Sequence, residues 1–357
     1  AGADVIDLGD ATLLPGFADM HTHLTGYSSD FGYASLAIAP TDEAIRGVVN
    51  ARKTLMAGFT AARNLGASGY SDVSLREAID SGRVPGPRLQ VSGPALGATG
   101  GHCDNNYLPS TFGDTSEGAA DGPWALRQKV RLNNKYGADV IKICATGGVL
   151  SKGTDPGARQ LTMEELVAIV DEAHSLGMPV AAHAHGTEGI KAAVRAGVNS
   201  IEHGSLLDDE GIELMLEHGT YLVSTLFAGD AVMRMAADGT ITGELAEKAM
   251  AIGPAMASTM LRAHRAGVKV ALGVDNIFYD HRTSTREFEL LVTAGFSEMD
   301  AILAGTSVAA ELLGWQDDVG TIQPGRWADI VGVAENPLED ITELQRTTFV
   351  MKGGEIV

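Results

Sequence analysis

The chain has 357 residues, 45% of them hydrophobic and 20% charged, which excludes a disordered chain, a small disulfide scaffold and a zinc knuckle. Its 26 Lys and Arg against 46 Asp and Glu give a net charge of −20, a surface that repels phosphate backbones and anionic lipids, so neither nucleic acid nor a membrane is an expected partner. No apolar run approaches the roughly 18 residues of a membrane helix, and the two cysteines, Cys103 and Cys144, allow one disulfide at most.

The chain opens at Ala1 with neither Met nor a leader, so a segment preceding Ala1 is expected. The compartment stays open: a soluble protein, cytoplasmic or, after loss of a signal peptide, exported. Short apolar runs then recur at 16–23, 58–64, 87–92, 138–145, 179–185, 200–203, 221–227 and 268–275, eight candidate strands punctuated by glycine. Between them lie stretches of helical period such as TDEAIRGVVNARKTLMAG, TMEELVAIVDEAHSLG, TEGIKAAVRAG and DEGIELMLEHG, all ending at Gly. Strands alternating with helices predict a parallel sheet, and eight such units favour a closed (β/α)8 barrel. No G-x-G-x-x-G follows the first strand, so an open dinucleotide-binding sheet is disfavoured. A helix AILAGTSVAAELLG is expected before Gly314, and beyond it VGTIQPGRWADIVGVAENP and RTTFVMKGGEIV read as short strands. The expected architecture is therefore α/β: a TIM barrel over 16–314, with a small β-sandwich domain built from both termini, 1–15 and 315–357.

Function in such a barrel belongs at the C-terminal strand ends, and histidine gathers there. His21 and His23 close the first strand, His183 and His185 the fifth and His203 the sixth; Asp275 closes the eighth and Lys142 lies in the fourth. Two residues apart on a strand, His21 and His23 leave one face and can share a cation. Any one pair alone would read as core histidines. Their recurrence with an acid points to divalent metal. A plain ammonium at Lys142 would be repelled by those cations, whereas a carbamate formed on it would be an anionic two-oxygen bridge. Cys144 reads as a packing residue, and Cys103 as an exposed neighbour of His102.

LLPGFADMHTHL, ADVIKICATGGV, VAAHAHG, SIEHG and LGVDN, with the tail GTIQPGRWADIVGV, together resemble the amidohydrolase superfamily, in the branch of imidazolonepropionase-like enzymes, Xaa-Pro dipeptidases and ochratoxin-hydrolysing amidases. The likeness covers nearly the whole chain. ARNLG departs from the more usual RDxGG, with Asn64 in place of Asp. The resemblance implies two divalent metal ions, zinc being the one expected. His21, His23 and Asp275 would hold the more buried ion, His183 and His203 the more exposed one, and N6-carboxylysine at Lys142 would bridge them. It further implies attack by a metal-bridging hydroxide on an amide, with Asp275 carrying the proton to the leaving nitrogen. His102 resembles the family's contact to the substrate carbonyl, and His185 is assigned to the substrate pocket. His281, Arg282 and Tyr279, in the loop after the eighth strand, are expected to bind a substrate carboxylate, with Tyr27, Tyr107, Phe227 and Phe278 as apolar walls. The expected substrate is a small amide of a carboxy-terminal amino acid: an Xaa-Pro dipeptide, an N-acyl amino acid or an ochratoxin-like amide. A homo-oligomer is expected. A lactonase or phosphotriesterase would share the binuclear constellation, and a mononuclear deaminase would not need Lys142.

Overall fold

The computed structural model describes residues 5–357; residues 1–4 of the expected N-terminal segment lie outside the described residues. After strand β1 (Thr12–Pro15), eight strands follow in the expected order: β2 (Phe17–Thr22), β3 (Phe59–Asn64), β4 (Arg88–Val91), β5 (Ile141–Cys144), β6 (Val180–Ala184), β7 (Ser200–His203), β8 (Tyr221–Val223) and β9 (Val270–Ala271). Each pairs in parallel with the next within two runs, β2 to β4 and β5 to β9. Backbone bonds close both gaps. Leu96 N–H donates to Lys142 O (2.8 Å) and Cys144 N–H to Leu96 O (2.9 Å), while Met20 N–H reaches Leu272 O (2.9 Å) and Val274 N–H reaches His21 O (3.2 Å). The result is a ring of parallel strands wrapped by helices. Strands β2, β3, β5, β6 and β7 are buried throughout, which is why they read as continuous apolar runs instead of alternating ones.

The helices begin where local chemistry satisfies their free N–H groups. Helix Met163–Ser175 carries a reciprocal cap, with Thr162 Oγ1 accepting from Glu165 N–H (3.3 Å) and Glu165 Oε2 accepting from Thr162 N–H (2.8 Å). The run expected as a single helix before Gly314 is instead two, Glu298–Ala304 and Ser307–Leu313. Gly305 lies at the break and packs so closely on Phe288 and Leu272 that any Cβ there would collide with them. The expected strand over 221–227 is also shorter. It stops at Val223, and Thr225, at φ 51°, turns the chain into helix Leu226–Ala237.

The termini meet in one antiparallel sheet of order β1, β10 (Ile330–Val333), β11 (Phe349–Lys352), β12 (Glu355–Ile356), its last turn formed by Gly353 and Gly354 at positive φ. Among the described residues this is a single layer; the second sheet of the expected sandwich is not found there. Leu14, Val331 and Val333 join the barrel's own apolar core through Phe17 and Phe59, so the terminal sheet packs as an extension of the barrel. Among the described residues no helix is long and apolar enough to cross a membrane.

Candidate metal centre

The strand ends converge on a cavity of about 420 Å³ lined by His21, His23, His102, Lys142, His183, His185, His203 and Asp275. On the β2 and β9 side, Asp275 Oδ1 lies 3.2 Å from His23 Nε2 and 3.8 Å from His21 Nε2. Lys142 Nζ sits 3.2 Å from His21 Nε2. His21, His203 and Asp275 offer ligand atoms within 4.8 Å of one another, and so do His183, His185 and His203. Those atoms suit divalent ions of borderline softness. His203 and Asp275 both reach the centre from left-handed backbone, at φ 71° and 54°, a costly conformation at residues that are not glycine. Gly273 allows β9 to close here, since a Cβ would overlap Val223 and the His21 side chain.

Burial keeps the imidazoles neutral. It lowers His21 and His185 to about 4 and His102 to about 3, and it drives His183 and His203 well below the ordinary histidine value, so each retains a lone pair for a cation. Burial likewise lowers Lys142 to about 8. For Asp275, burial acts upward, but His21 and His23 outweigh it and bring the carboxyl to about 2. Each ring has a fixed partner: Glu202 Oε2 for His21 Nδ1 (2.8 Å), Ser205 Oγ for His185 Nδ1 (2.8 Å), Thr225 Oγ1 for His203 Nδ1 (2.8 Å) and the Gly147 carbonyl for His183 Nε2 (3.1 Å).

His102 lies against His183, ring centroids 4.1 Å apart, and its Nδ1 meets Ser151 Oγ at 2.9 Å. Gly148 makes room for it, because a Cβ there would overlap the imidazole. The two cysteines correct the sequence reading. Cys103 and Cys144 are disulfide-bonded, Cα atoms 5.7 Å apart, so Cys144 is more than packing and Cys103 is not a free thiol. The bond ties the His102 loop to the strand that carries Lys142.

The structure does not bring Tyr279, His281 and Arg282 into the cavity lining. Asn276 Oδ1 accepts from the backbone of Phe278 and Tyr279, and Asp280 binds both the Arg282 side chain and Lys53, which curls this loop off the mouth. Arg282 therefore spends its guanidinium on Asp280 in solvent, His281 is buried outside the cavity, and Tyr279 packs edge-on against Phe227. Of the expected apolar walls, Tyr27, Tyr107 and Phe278 line the cavity and Phe227 does not; Phe31, Val149, Leu150, Val232, Ile252 and Met256 do. Asn64 touches no ring of the centre but accepts the Leu24 N–H (2.7 Å), fixing the chain just beyond His23.

The model of the amidohydrolase family matches residues 12–357. The chain belongs to the amidohydrolase family. This amidohydrolase is 34% identical to the ochratoxinase of Aspergillus niger over 96% of its own length and 75% of the relative's. Among solved structures it resembles a Xaa-Pro dipeptidase with methionine bound in its active site (TM-score 0.91, 38% identity, 98% of this chain and 87% of that one). It also resembles a prolidase complexed with N-methylphosphonate-L-proline (TM-score 0.90, 33% identity, 100% of this chain and 90% of that one). With these relatives, the amidohydrolase is a hydrolase of C–N bonds.

Proposed function

We propose that this amidohydrolase holds two divalent metal ions and cleaves the amide bond to a carboxy-terminal amino acid. The observation that carries the reading is Lys142, a buried amine set among His21, His183, His203 and Asp275 at the floor of a cavity with apolar walls. Burial works against an ammonium there, although Glu202 and Asp275 favour one, and a carbamate on Nζ would complete a donor set for two cations. His21, His23 and Asp275 would hold one ion, His183 and His203 the other, and carboxylated Lys142 both. Zinc suits this nitrogen and oxygen set. Bound there, the ions would polarise a substrate carbonyl and acidify a water.

Asp275, an ionised carboxylate beside His23, accepts a proton and delivers it to the leaving nitrogen, which an amine leaving group requires. His102 and His185 face the cavity with one ring nitrogen each not engaged by Ser151 or Ser205, and donate to the substrate's carbonyl and carboxylate. This replaces the carboxylate contact expected from Arg282 and His281. The named relatives support an Xaa-Pro dipeptide or an ochratoxin-like amide as substrate, and an N-acyl amino acid would offer the same amide and carboxylate.

The test is hydrolysis of those three classes by metal-loaded protein, each compared with its carboxylate-amidated counterpart. Free acids are expected to be cleaved with the higher kcat/KM, because a carboxylate desolvated beside apolar walls must be paired. Equal cleavage of blocked and free forms, or preference for lactones or phosphotriesters, would overturn the substrate reading. His183→Ala is expected to cost one equivalent of metal, and His185→Ala to spare metal while raising KM.

A further inference from the structure

Glu202 and Arg63 are wholly buried side chains below the cavity floor, and neither is among the expected ligands. Glu202 Oε2 accepts from His21 Nδ1 (2.8 Å), and Oε1 accepts from Arg63 Nη2 (2.9 Å) and Ser200 Oγ (2.6 Å). Arg63 also donates Nε–H to Met20 O (2.8 Å), the carbonyl of the peptide that leads into His21. One guanidinium from β3 thus grips the main chain before His21 and the carboxylate that holds its ring. A buried ion pair contributes little net stability, since desolvation of both charges offsets their attraction. Its placement therefore calls for another role.

We propose that Glu202, braced by Arg63, is the positioning residue that sets His21 for metal binding, an inference that rests on the reading of His21 as a ligand given above. A neutral imidazole has one N–H. Donated to the Glu202 carboxylate at Nδ1, it leaves the lone pair on Nε2, the atom that faces Lys142 Nζ at 3.2 Å and Asp275 Oδ1 at 3.8 Å. The partners of His102, His185 and His203 at Nδ1 are hydroxyls, which can donate or accept and so do not select a tautomer. A carboxylate at neutral pH can only accept. Glu202 is such a carboxylate by its setting, its Oε1 paired at 2.9 Å with the buried guanidinium of Arg63, a permanent cation.

Two measurements test this, neither of them turnover. Nitrogen-15 NMR of the histidine rings in metal-free protein is expected to show His21 wholly as the Nδ1–H tautomer. In the double variant Glu202→Gln with Arg63→Gln, which replaces the ion pair by neutral amides and strands no charge, mixed tautomers are expected. Chelator competition is then expected to show one of the two metal sites weakened about 10- to 100-fold, with the other changed far less. Glu202→Asp keeps the charge that Arg63 needs but retracts the carboxylate from His21, and is expected to shift metal affinity in the same direction, so the proposal does not depend on the double variant folding. Variants that bind both ions as the wild type does, with His21 still a single Nδ1–H tautomer, would overturn the positioning role. Wild-type protein that shows the tautomer but binds no metal would overturn the ligand reading, and the inference with it.

Discussion

On the β2 and β9 side of the centre, the ligand candidates are backed by charge. Glu202 and Arg63 stand behind His21 as an ion pair, while Asp19, pushed up to about 8 by burial and so protonated at neutral pH, caps the backbone N–H groups of His21 and Val274 without adding charge. On the β6 and β7 side the backing is neutral: Ser205 for His185, Thr225 for His203 and a backbone carbonyl for His183. A carboxylate fixes both the tautomer and the basicity of its imidazole, a neutral carbonyl such as that of Gly147 fixes the tautomer alone, and a hydroxyl follows whatever the ring does. On the two-ion reading, the charge-backed side would hold its ion rigidly. The neutral side, nearer His102, would let a substrate share its ion.

The sharpest way to break this contrast is at the carboxylate that faces both. Asp275→Asn is expected to leave the fold and much of the metal in place and to lower kcat by about 10²- to 10⁴-fold, because an amide cannot accept the proton. Near wild-type kcat in a metal-replete variant would refute the role.

Loss of the Cys103–Cys144 bond comes next in size. It closes a separation of 41 residues, and the chain-entropy model assigns such a link about 4 kcal/mol. Cys103→Ser with Cys144→Ser is expected to lower Tm and, by freeing the His102 loop, to lower kcat/KM while metal content stays unchanged. Unaltered kcat/KM would show that the loop holds its place without the bond.

Much of this was legible in the chain before its fold was known. The eight strands, the H-x-H pairs, Lys142 and Asp275 were readable because both-face burial leaves continuous apolar runs and because polar residues at their ends stand out. Glu202 was not, although SIEHG places it next to His203. Ordinary strand alternation would send the two side chains to opposite faces; the positive φ at His203 brings both to His21, which no pattern of residue types displays. Arg63, within ARNLG, is hidden for a different reason: its partners come from β2 and β7, distant in sequence. Arg282 misled in the opposite way. It follows Asp275 closely in sequence, but a nearer acid, Asp280, captures it first.

Acid separates the folded and unfolded chains through the same histidines. His21, His102, His185 and His281 have folded values of about 3 to 4, below the ordinary 6.5, so the unfolded chain takes up protons first as pH falls. Their contribution is complete above pH 6.5 and is lost between there and about pH 4. Asp19 and Glu287, both raised by burial to about 8, act oppositely and are fewer. Thermal melts of metal-free protein are expected to show Tm falling over that window; a flat profile would mean that the cluster is not buried neutral. The smallest effect belongs to the neutral side. Ser205→Ala or Thr225→Val removes one hydrogen bond worth about 1 kcal/mol and is expected to change kcat/KM by less than about tenfold, against the larger loss of metal affinity expected for the Glu202 variants. Equal effects on both sides would erase the contrast.

The most direct measurement is the metal content of wild-type protein and Lys142→Ala, purified with bicarbonate and divalent metal, with the intact mass read alongside. The account predicts two ions per wild-type chain and the added mass of a lysine carbamate. In Lys142→Ala it predicts loss of binuclear occupancy and of amide hydrolysis, partly restored by a short carboxylic acid. A single ion in wild-type protein, with an unmodified Lys142 and undiminished turnover in the alanine variant, would contradict it.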